Sequence, residues 1–377
     1  MNTRTMSEFK GFYAGKRVLV TGHTGFKGSW LSLWLQMLGA QVQGFALDPD
    51  TTPCHWNLLN LSGIEDVRGD LRDADALRDA ILKFQPELVF HLAAQPLVRY
   101  SYRHPVETFA TNITGLVNLL ETCRICPSIR VLVNATTDKV YAEPQGHAND
   151  EGKGYRESDP LGGHDPYSTS KACAEMISDC YRKSFFSAAN LRIATARAGN
   201  VIGGGDWADD RLVPDLIRAA TNSQPLQIRN PGAIRPWQHV LEPLSGYLRL
   251  AQLLWDHDHY AAAWNFGPGR ISEITVQTLG EQLKRYWPAL HIETESAAAH
   301  TSIAQHPHEA KVLRLDSGAA QQQLGWQPIW NITETLAHTA HWYQAFYERN
   351  ELQTRSNIHA YTETARNHGL DWARHAG

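Results

Sequence analysis

The chain has 377 residues, of which 42% are hydrophobic and 20% charged, with a formal net charge of −4 and a sequence pI of about 6.5. That balance predicts a globular protein with a large core, and without a basic block it gives nucleic acid no footing. No apolar run approaches the roughly 18–20 residues of a membrane span, and the N-terminal MNTRTMSEFKGFYAGKR lacks an apolar signal core, so a soluble cytoplasmic protein without a membrane partner is expected.

From residue 16 strands and helices alternate. RVLVTG (17–22) is a compact apolar strand, and residues 26–39 carry Phe26, Trp30, Leu31, Leu33, Trp34, Leu35 and Leu38 at helical spacing, with Gly39 as a stop. Strands are expected at 42–48, 64–70, 87–94, 130–136 and 190–198, and helices at 76–84 and 113–126. Parallel strands joined by crossover helices predict an α/β fold, a doubly wound Rossmann sheet. Ligands then bind outside the carboxyl ends of the strands, where Asp48, Asp70, Ala93 and Asp138 fall. The pattern loosens after about residue 200, which predicts a smaller mixed α/β substrate-binding domain. The NAD-binding part is expected at 1–200 with about 235–268, the substrate part at 201–234 and 269–345, and a C-terminal tail at 346–377.

Five cysteines are too few for a disulfide framework. Cys123 and Cys126 form a lone CxxC at the end of an apolar helix and read as buried helix-end thiols. Eighteen histidines show no HExxH or paired spacing, and no metal site is expected. The loop 142–166, with five glycines and three prolines, is either a lid or a segment held rigid by its own contacts.

TGHTGFKG (21–28) joins the first strand to the first helix, with Gly22, Gly25 and Gly28 at spacings of three. Glycine permits the tight turn and lets a pyrophosphate approach the backbone, and free N–H groups at the helix start face the phosphates. Thr24, Phe26 and Lys27 belong to the same cradle. Asp48 lies 20 residues beyond Gly28. A carboxylate there accepts both ribose hydroxyls and repels a 2′-phosphate, which favours NAD over NADP; the alternative is a cap for the turn DPDTT.

DPYSTSKACAE (165–175) places Tyr167 and Lys171 four residues apart, on one face of a helix. A neighbouring ammonium, together with the positive nicotinamide ring, stabilises phenolate, so Tyr167 is expected to have a lowered pKa and to serve as base or acid for a sugar hydroxyl.

Together the cradle, Asp48, LAAQ (92–95), Thr137 and the Tyr167/Lys171 pair resemble the extended short-chain dehydrogenase/reductase family over residues 16 to about 330. The resemblance implies that Thr137 hydrogen-bonds the substrate near its reacting hydroxyl and that Lys171 also holds the nicotinamide ribose. Asp70, Leu71, Leu92, Ala93, Ala94 and Gln95 join the cofactor set.

Sugar 4,6-dehydratases carry an acid and a base directly after this threonine, commonly Asp-Glu; here Asp138-Lys139 stands in their place. A 4,6-dehydratase needs these groups for C5 and C6, and a 4-epimerase does not. Asp-Lys, with TGHTGFKGSWL (21–31), LAAQPLVRYSY (92–102), LGGHDPYSTSK (161–171), RAGNVIGGGDWADDRLVPD (197–215) and RPWQHV (235–240), resembles the CDP-glucose 4,6-dehydratase branch. That implies CDP-D-glucose as substrate, a lyase with NAD as cofactor, and a place in deoxysugar synthesis for bacterial surface polysaccharide such as O-antigen. Asn200, Arg211, Arg235 and His239 are the expected substrate contacts, with Arg211 and Arg235 suited to the pyrophosphate; either arginine has a structural ion pair as its alternative. Trp207 and Trp237 read either as a border of the base or as core. The family resemblance also implies a homodimer or dimer of dimers, for which Leu116, Leu119 and Leu120 are candidates, with core packing as their alternative. The rival functions are a nucleotide-sugar 4-epimerase, a 4,6-dehydratase for another nucleotide sugar, and a non-enzymatic NAD sensor.

Overall fold

The computed structural model describes residues 6–143, 154–186, 190–228, 230–288, 290–294 and 313–374. Its first six strands are β1 (Arg17–Thr21), β2 (Gln41–Ala46), β3 (Glu65–Arg68), β4 (Leu88–His91), β5 (Val131–Ala135) and β6 (Arg192–Ala198). Two short strands, β7 (Leu226–Ile228) and β8 (Ile234–Pro236), precede β9 (Ala263–Phe266), and β10 (Glu273–Thr275) and β11 (Ile292–Thr294) follow it. The main sheet has the order β9-β6-β5-β4-β1-β2-β3, and every pairing in it is parallel.

Both faces of this sheet are covered, so its strands are apolar on both sides. Successive side chains point to opposite faces. Val18 and Val20 share one core with Leu88, Phe90, Val131 and Val133, while Leu19 joins Val89 and Leu132 in the other.

The longer helices are α1 (Phe26–Met37), α2 (Ala74–Phe84), α3 (Gly115–Ile125), α4 (Pro166–Tyr181), α5 (Leu212–Thr221), α6 (Leu241–Leu254), α7 (Val276–Tyr286), α8 (Ile332–Arg349) and α9 (Thr354–Asn367). α4 starts where its sequence directs. Asp165 accepts from the Ser168 amide at 2.9 Å, and Pro166 takes the first helical position, where no amide is needed. The smaller region pairs β7 with β11 in parallel and β8 with β10 antiparallel, beside α5 and α7.

Two expectations need correction. Residues 346–374 are not a tail. α9 buries Ile358, Tyr361 and Ala365, and Trp372 stacks on Phe9 with ring centres 5.0 Å apart. This packing covers the outer side of α1, whose Trp30, Leu31, Leu33, Trp34 and Leu35 are all fully buried. A helix that is apolar on every side needs cover on every side, and the sheet supplies only one. The second correction concerns Leu116, Leu119 and Leu120, which are fully buried against Leu77 and Ile81 and do not reach the surface.

Cys123 and Cys126 are both buried, and burial pushes the Cys123 thiol up, away from the reactive thiolate. Residues 144–153 of the loop 142–166 lie outside the described residues. Its later part is pinned: the Tyr155 amide donates to the Arg314 carbonyl, and the Asp316 amide donates to the Tyr155 carbonyl, each at 2.8 Å. Among the described residues, no helix is long and apolar enough to cross a membrane.

Because Trp372 is fully buried at the junction of both ends of the fold, Trp372→Ala is expected to destabilise by about 3–5 kcal/mol. Urea unfolding checks this; a loss below about 0.5 kcal/mol would mark the segment as dispensable surface.

Candidate active site

Strand order reverses between β1 and β4, and the crevice at their carboxyl ends opens into a cavity of about 1720 Å³. That exceeds the span usual for one small ligand and leaves room for two.

The cradle forms one side. Gly22 has φ of +75°, and a Cβ there would stand 2.6 Å from the Ala93 amide nitrogen. A Cβ on Gly28 would stand 2.0 Å from the Gly22 carbonyl oxygen. Only glycine lets β1, α1 and the loop after β4 approach this closely. Thr24, Gly25, Phe26, Asp48, Asp70, Leu71, Leu92, Ala93 and Ala94 also line the cavity. Asp48 is highly exposed, with Arg68 Nε 3.8 Å away, so its carboxylate remains available to a ribose. Asp70 is more committed: Arg72 donates its Nε and amide to the carboxylate at 2.8–3.0 Å, and these contacts hold it below its ordinary range.

Lys27 reaches further than the cradle. Its ammonium lies 5.9 Å from the ring centre of Tyr247, and burial, then Arg211 and Lys171, push it down to about 7, against Asp138. Gln95 does not line the cavity. Its Nε2 donates to Thr108 at 2.8 Å and its Oε1 accepts from the Leu97 amide at 2.6 Å, which braces the loop after β4.

The catalytic candidates meet at the end of β5. Thr137, Asp138, Lys139, Tyr167 and Lys171 all line the cavity. Thr137 is hydrogen-bonded with Tyr167 and donates to Asp138 Oδ1 at 3.0 Å. Asp138 is buried; its Oδ2 has no partner, and a Cβ on Gly199 would stand 2.9 Å from it. The expected lowering of Tyr167 does not hold in this structure. Burial pushes the phenol up to about 12, with Thr137 and Arg211 opposing and Asp138 adding to the rise. Lys171 instead donates to the Ala135 carbonyl at 3.0 Å, and burial pushes it down to about 8 while Glu175 opposes.

On the far side, Asn200, Arg211, Arg235, Trp207 and Trp237 line the cavity. Arg211 pairs with the buried Asp206 at 2.9 Å, so the structural alternative is realised without removing it from the wall. Arg235 is buried and donates to the Ile234 carbonyl at 2.9 Å. His239 does not reach the cavity. It is fully buried between the rings of Trp30 and Trp330, beyond Gly203, and burial holds it neutral. Arg99, which the sequence reading passed over, meets Asp210 at 3.5 Å on the cavity wall. The basic LVRYSY string after β4 carried that signal.

The topology and this wall of Thr, Asp, Tyr and Lys define a nucleotide-binding enzyme of the short-chain dehydrogenase/reductase type. Residues 19–339 match the GDP-mannose 4,6 dehydratase family, and the chain belongs to that family. It is 48% identical over 350 residues to the CDP-glucose 4,6-dehydratase of Salmonella typhimurium, covering 91% of this chain and 94% of that one. Its fold is similar to the UDP-glucose 4-epimerase of Thermus thermophilus in complex with NAD, at TM-score 0.73 and 26% identity, covering 87% and 99% of the two chains. It is also similar to the dTDP-glucose 4,6-dehydratase of Bacillus anthracis in complex with NAD, at TM-score 0.71 and 23% identity, covering 89% and 98%.

Gly28→Ala forces the Gly22 turn open. It is expected to weaken NAD binding by at least roughly tenfold, the equivalent of ~1.4 kcal/mol. A fluorescence titration with the dinucleotide checks this; unchanged affinity would mean that the cradle is not the phosphate site.

Proposed function

We propose that this chain is a CDP-D-glucose 4,6-dehydratase, an NAD-dependent lyase that removes water from CDP-D-glucose to give CDP-4-keto-6-deoxy-D-glucose. The observation that carries the reading is Asp138. It is buried beside Thr137 and Tyr167 with one carboxylate oxygen unpartnered at the cavity wall. An epimerase has no use for such an acid, whereas elimination of the C6 hydroxyl needs a proton donor. The relative that shares 48% of its residues bears the same activity in its name.

The residues fit NAD. Gly22 and Gly28 leave room for backbone approach to a pyrophosphate, and Asp48 offers a free carboxylate for a ribose at the end of β2. Bound there, NAD supplies a hydride acceptor for C4 and the hydride donor for C6. Tyr167 takes the C4 hydroxyl proton, with Thr137 orienting the phenol and the reacting oxygen. Lys171 supports the negative charge that develops on Tyr167. Ketone formation at C4 acidifies the C5 hydrogen, so a modest base suffices. Lys139, half-buried on the same wall, receives that proton as its neutral amine. Asp138 Oδ2 protonates the departing C6 oxygen, and a proton returns to C5 as C6 is reduced. Hydride leaves the sugar and comes back, so the sum is loss of one water. Arg211 and Arg235 bind the substrate pyrophosphate and Asn200 a phosphate or sugar oxygen.

The same reading expects a homodimer in the cytoplasm. Ile125, Met176 and Phe185 are exposed apolar residues on α3, on α4 and just past α4, and they offer a face that Leu116, Leu119 and Leu120 do not. Sedimentation checks this: a monomer at micromolar concentration would remove it.

Mass spectrometry after incubation with CDP-glucose and NAD is expected to show loss of water. A product of unchanged mass with inverted C4 would mean an epimerase. Reaction only with UDP, GDP or dTDP sugars would change the nucleotide alone. Tyr167→Phe is expected to lower turnover by at least about 10²-fold. Lys139→Ala should slow both turnover and exchange of the C5 hydrogen with heavy water; unchanged exchange would take the C5 proton away from Lys139.

A further inference from the structure

Glu175 is part of no role described so far. It lies one helical turn beyond Lys171 on α4, and its side chain is only 3% exposed. Residues four apart share one helix face, so both side chains descend on the end of β5. There they take adjacent groups. Lys171 donates to the Ala135 carbonyl at 3.0 Å, and the next residue, Thr136, donates its hydroxyl to Glu175 Oε1 at 2.5 Å. Two further donors close on Oε2: Thr195 Oγ1 at 2.6 Å and Arg197 at 2.9 Å. Three donors on one buried carboxyl group fix its position more firmly than packing alone.

We propose that Glu175 is a positioning residue for the reaction, the buried counter-charge that holds the Lys171 ammonium at the end of β5 beside Tyr167. A buried ammonium without an opposite charge loses its proton readily, and a deprotonated Lys171 gives no support to a developing phenolate. The groups around Lys171 leave this task to Glu175. Lys27 faces it from α1 with a like charge, and His91 stands at the end of β4. Arg197 on β6 is already bound to Glu175, and Asp138 after β5 shares the cavity wall. His91 is kept neutral, with burial pushing it down to about 3.

The anchorage also runs outward. Arg197 donates to the Tyr141 hydroxyl at 2.8 Å and to the Glu157 carbonyl at 3.2 Å, and Tyr141 donates to Asn265 at 2.7 Å. Tyr141 lines the cavity and stacks on Tyr155 with ring centres 4.7 Å apart. Glu175 therefore ties the catalytic lysine to β6, β9 and the pinned part of the loop 154–162.

The inference rests on the roles given to Tyr167 and Lys171 above, and its test is separable from them. The full-length protein carries ¹³C-labelled lysine, and the Lys171 resonance is assigned by its loss in Lys171→Met. Its titration is followed without substrate, which also separates it from Lys27 at about 7. Lys171 starts near 8; in Glu175→Gln its midpoint is expected to fall by about one pH unit or more. The alkaline limb of kcat/KM should fall with it, and Glu175→Asp should restore both in part. A purely structural Glu175 would lower thermal stability and leave both midpoints in place, which overturns the proposal. A shifted midpoint with an unmoved kcat/KM limb would uphold the counter-charge and refute the role of Lys171 in the chemistry. If Glu175→Gln fails to fold, Arg197→Gln carries the test. It leaves the carboxylate to Lys171, whose midpoint should then rise, and a fall or no change overturns the proposal.

Discussion

The contact on which the site depends is the one between α4 and the end of β5. Lys171 holds the Ala135 carbonyl, and Thr136 holds Glu175, so two successive residues of the strand end are fastened to two successive turns of the helix. Thr137, Asp138 and Lys139 follow directly, and their orientation is inherited from that junction. Tyr167 stands one turn earlier on the same helix and meets Thr137. An acid, a hydroxyl, a phenol and two amines are thereby gathered from two elements that are far apart in the chain. Burying this junction costs little at Thr136, Lys171 and Glu175, because each finds a partner there, while Asp138 Oδ2 is left unpaired.

Electrostatics give this wall its character. Lys27, Lys171 and Arg211 place positive charge around Asp138 and Tyr167. Such a field favours an ionised sugar oxygen over its neutral form, while burial outweighs it at the Tyr167 phenol. Asp138 and Lys139, neighbours in sequence, are both placed on the cavity wall by the single turn after β5.

Much of this was legible in the sequence. Six of the seven strands of the main sheet follow from short runs ending in polar residues, whereas β9 was not read as a strand, and the cradle follows from glycines placed between a strand and a helix. The Tyr167/Lys171 pair follows from helical spacing, and the same rule applied once more would have found Glu175. What was not legible depends on packing between distant segments. His239 sits among residues that line the cavity but turns into the aromatic core behind Gly203. Gln95 lies in the cofactor loop yet spends its amide on Thr108. Leu116, Leu119 and Leu120 have the composition of an interface and the burial of a core. The lowered tyrosine was argued from charged neighbours, the Lys171 ammonium and the nicotinamide ring, and the burial that raises the phenol was not weighed. The polar composition of residues 346–374 gave little sign that their helix packs closely through a narrow buried face of Ile358, Tyr361 and Ala365.

The cover over α1 has an implication for how the nucleotide site comes into being. His55 on the cavity wall joins Ser29 of α1 at 2.7 Å to Thr354 of α9 at 2.9 Å, and Trp372 closes on Phe9. The first helix of the cradle is thus completed by residues synthesised hundreds of positions later. A nascent chain that has released the whole first half of the sheet still carries α1 with Trp30 and Trp34 uncovered on one side. Domain-by-domain folding from the N-terminus, the usual order during synthesis, does not finish this site. The first helix of the cradle therefore reaches its final packing only when α9 is in place.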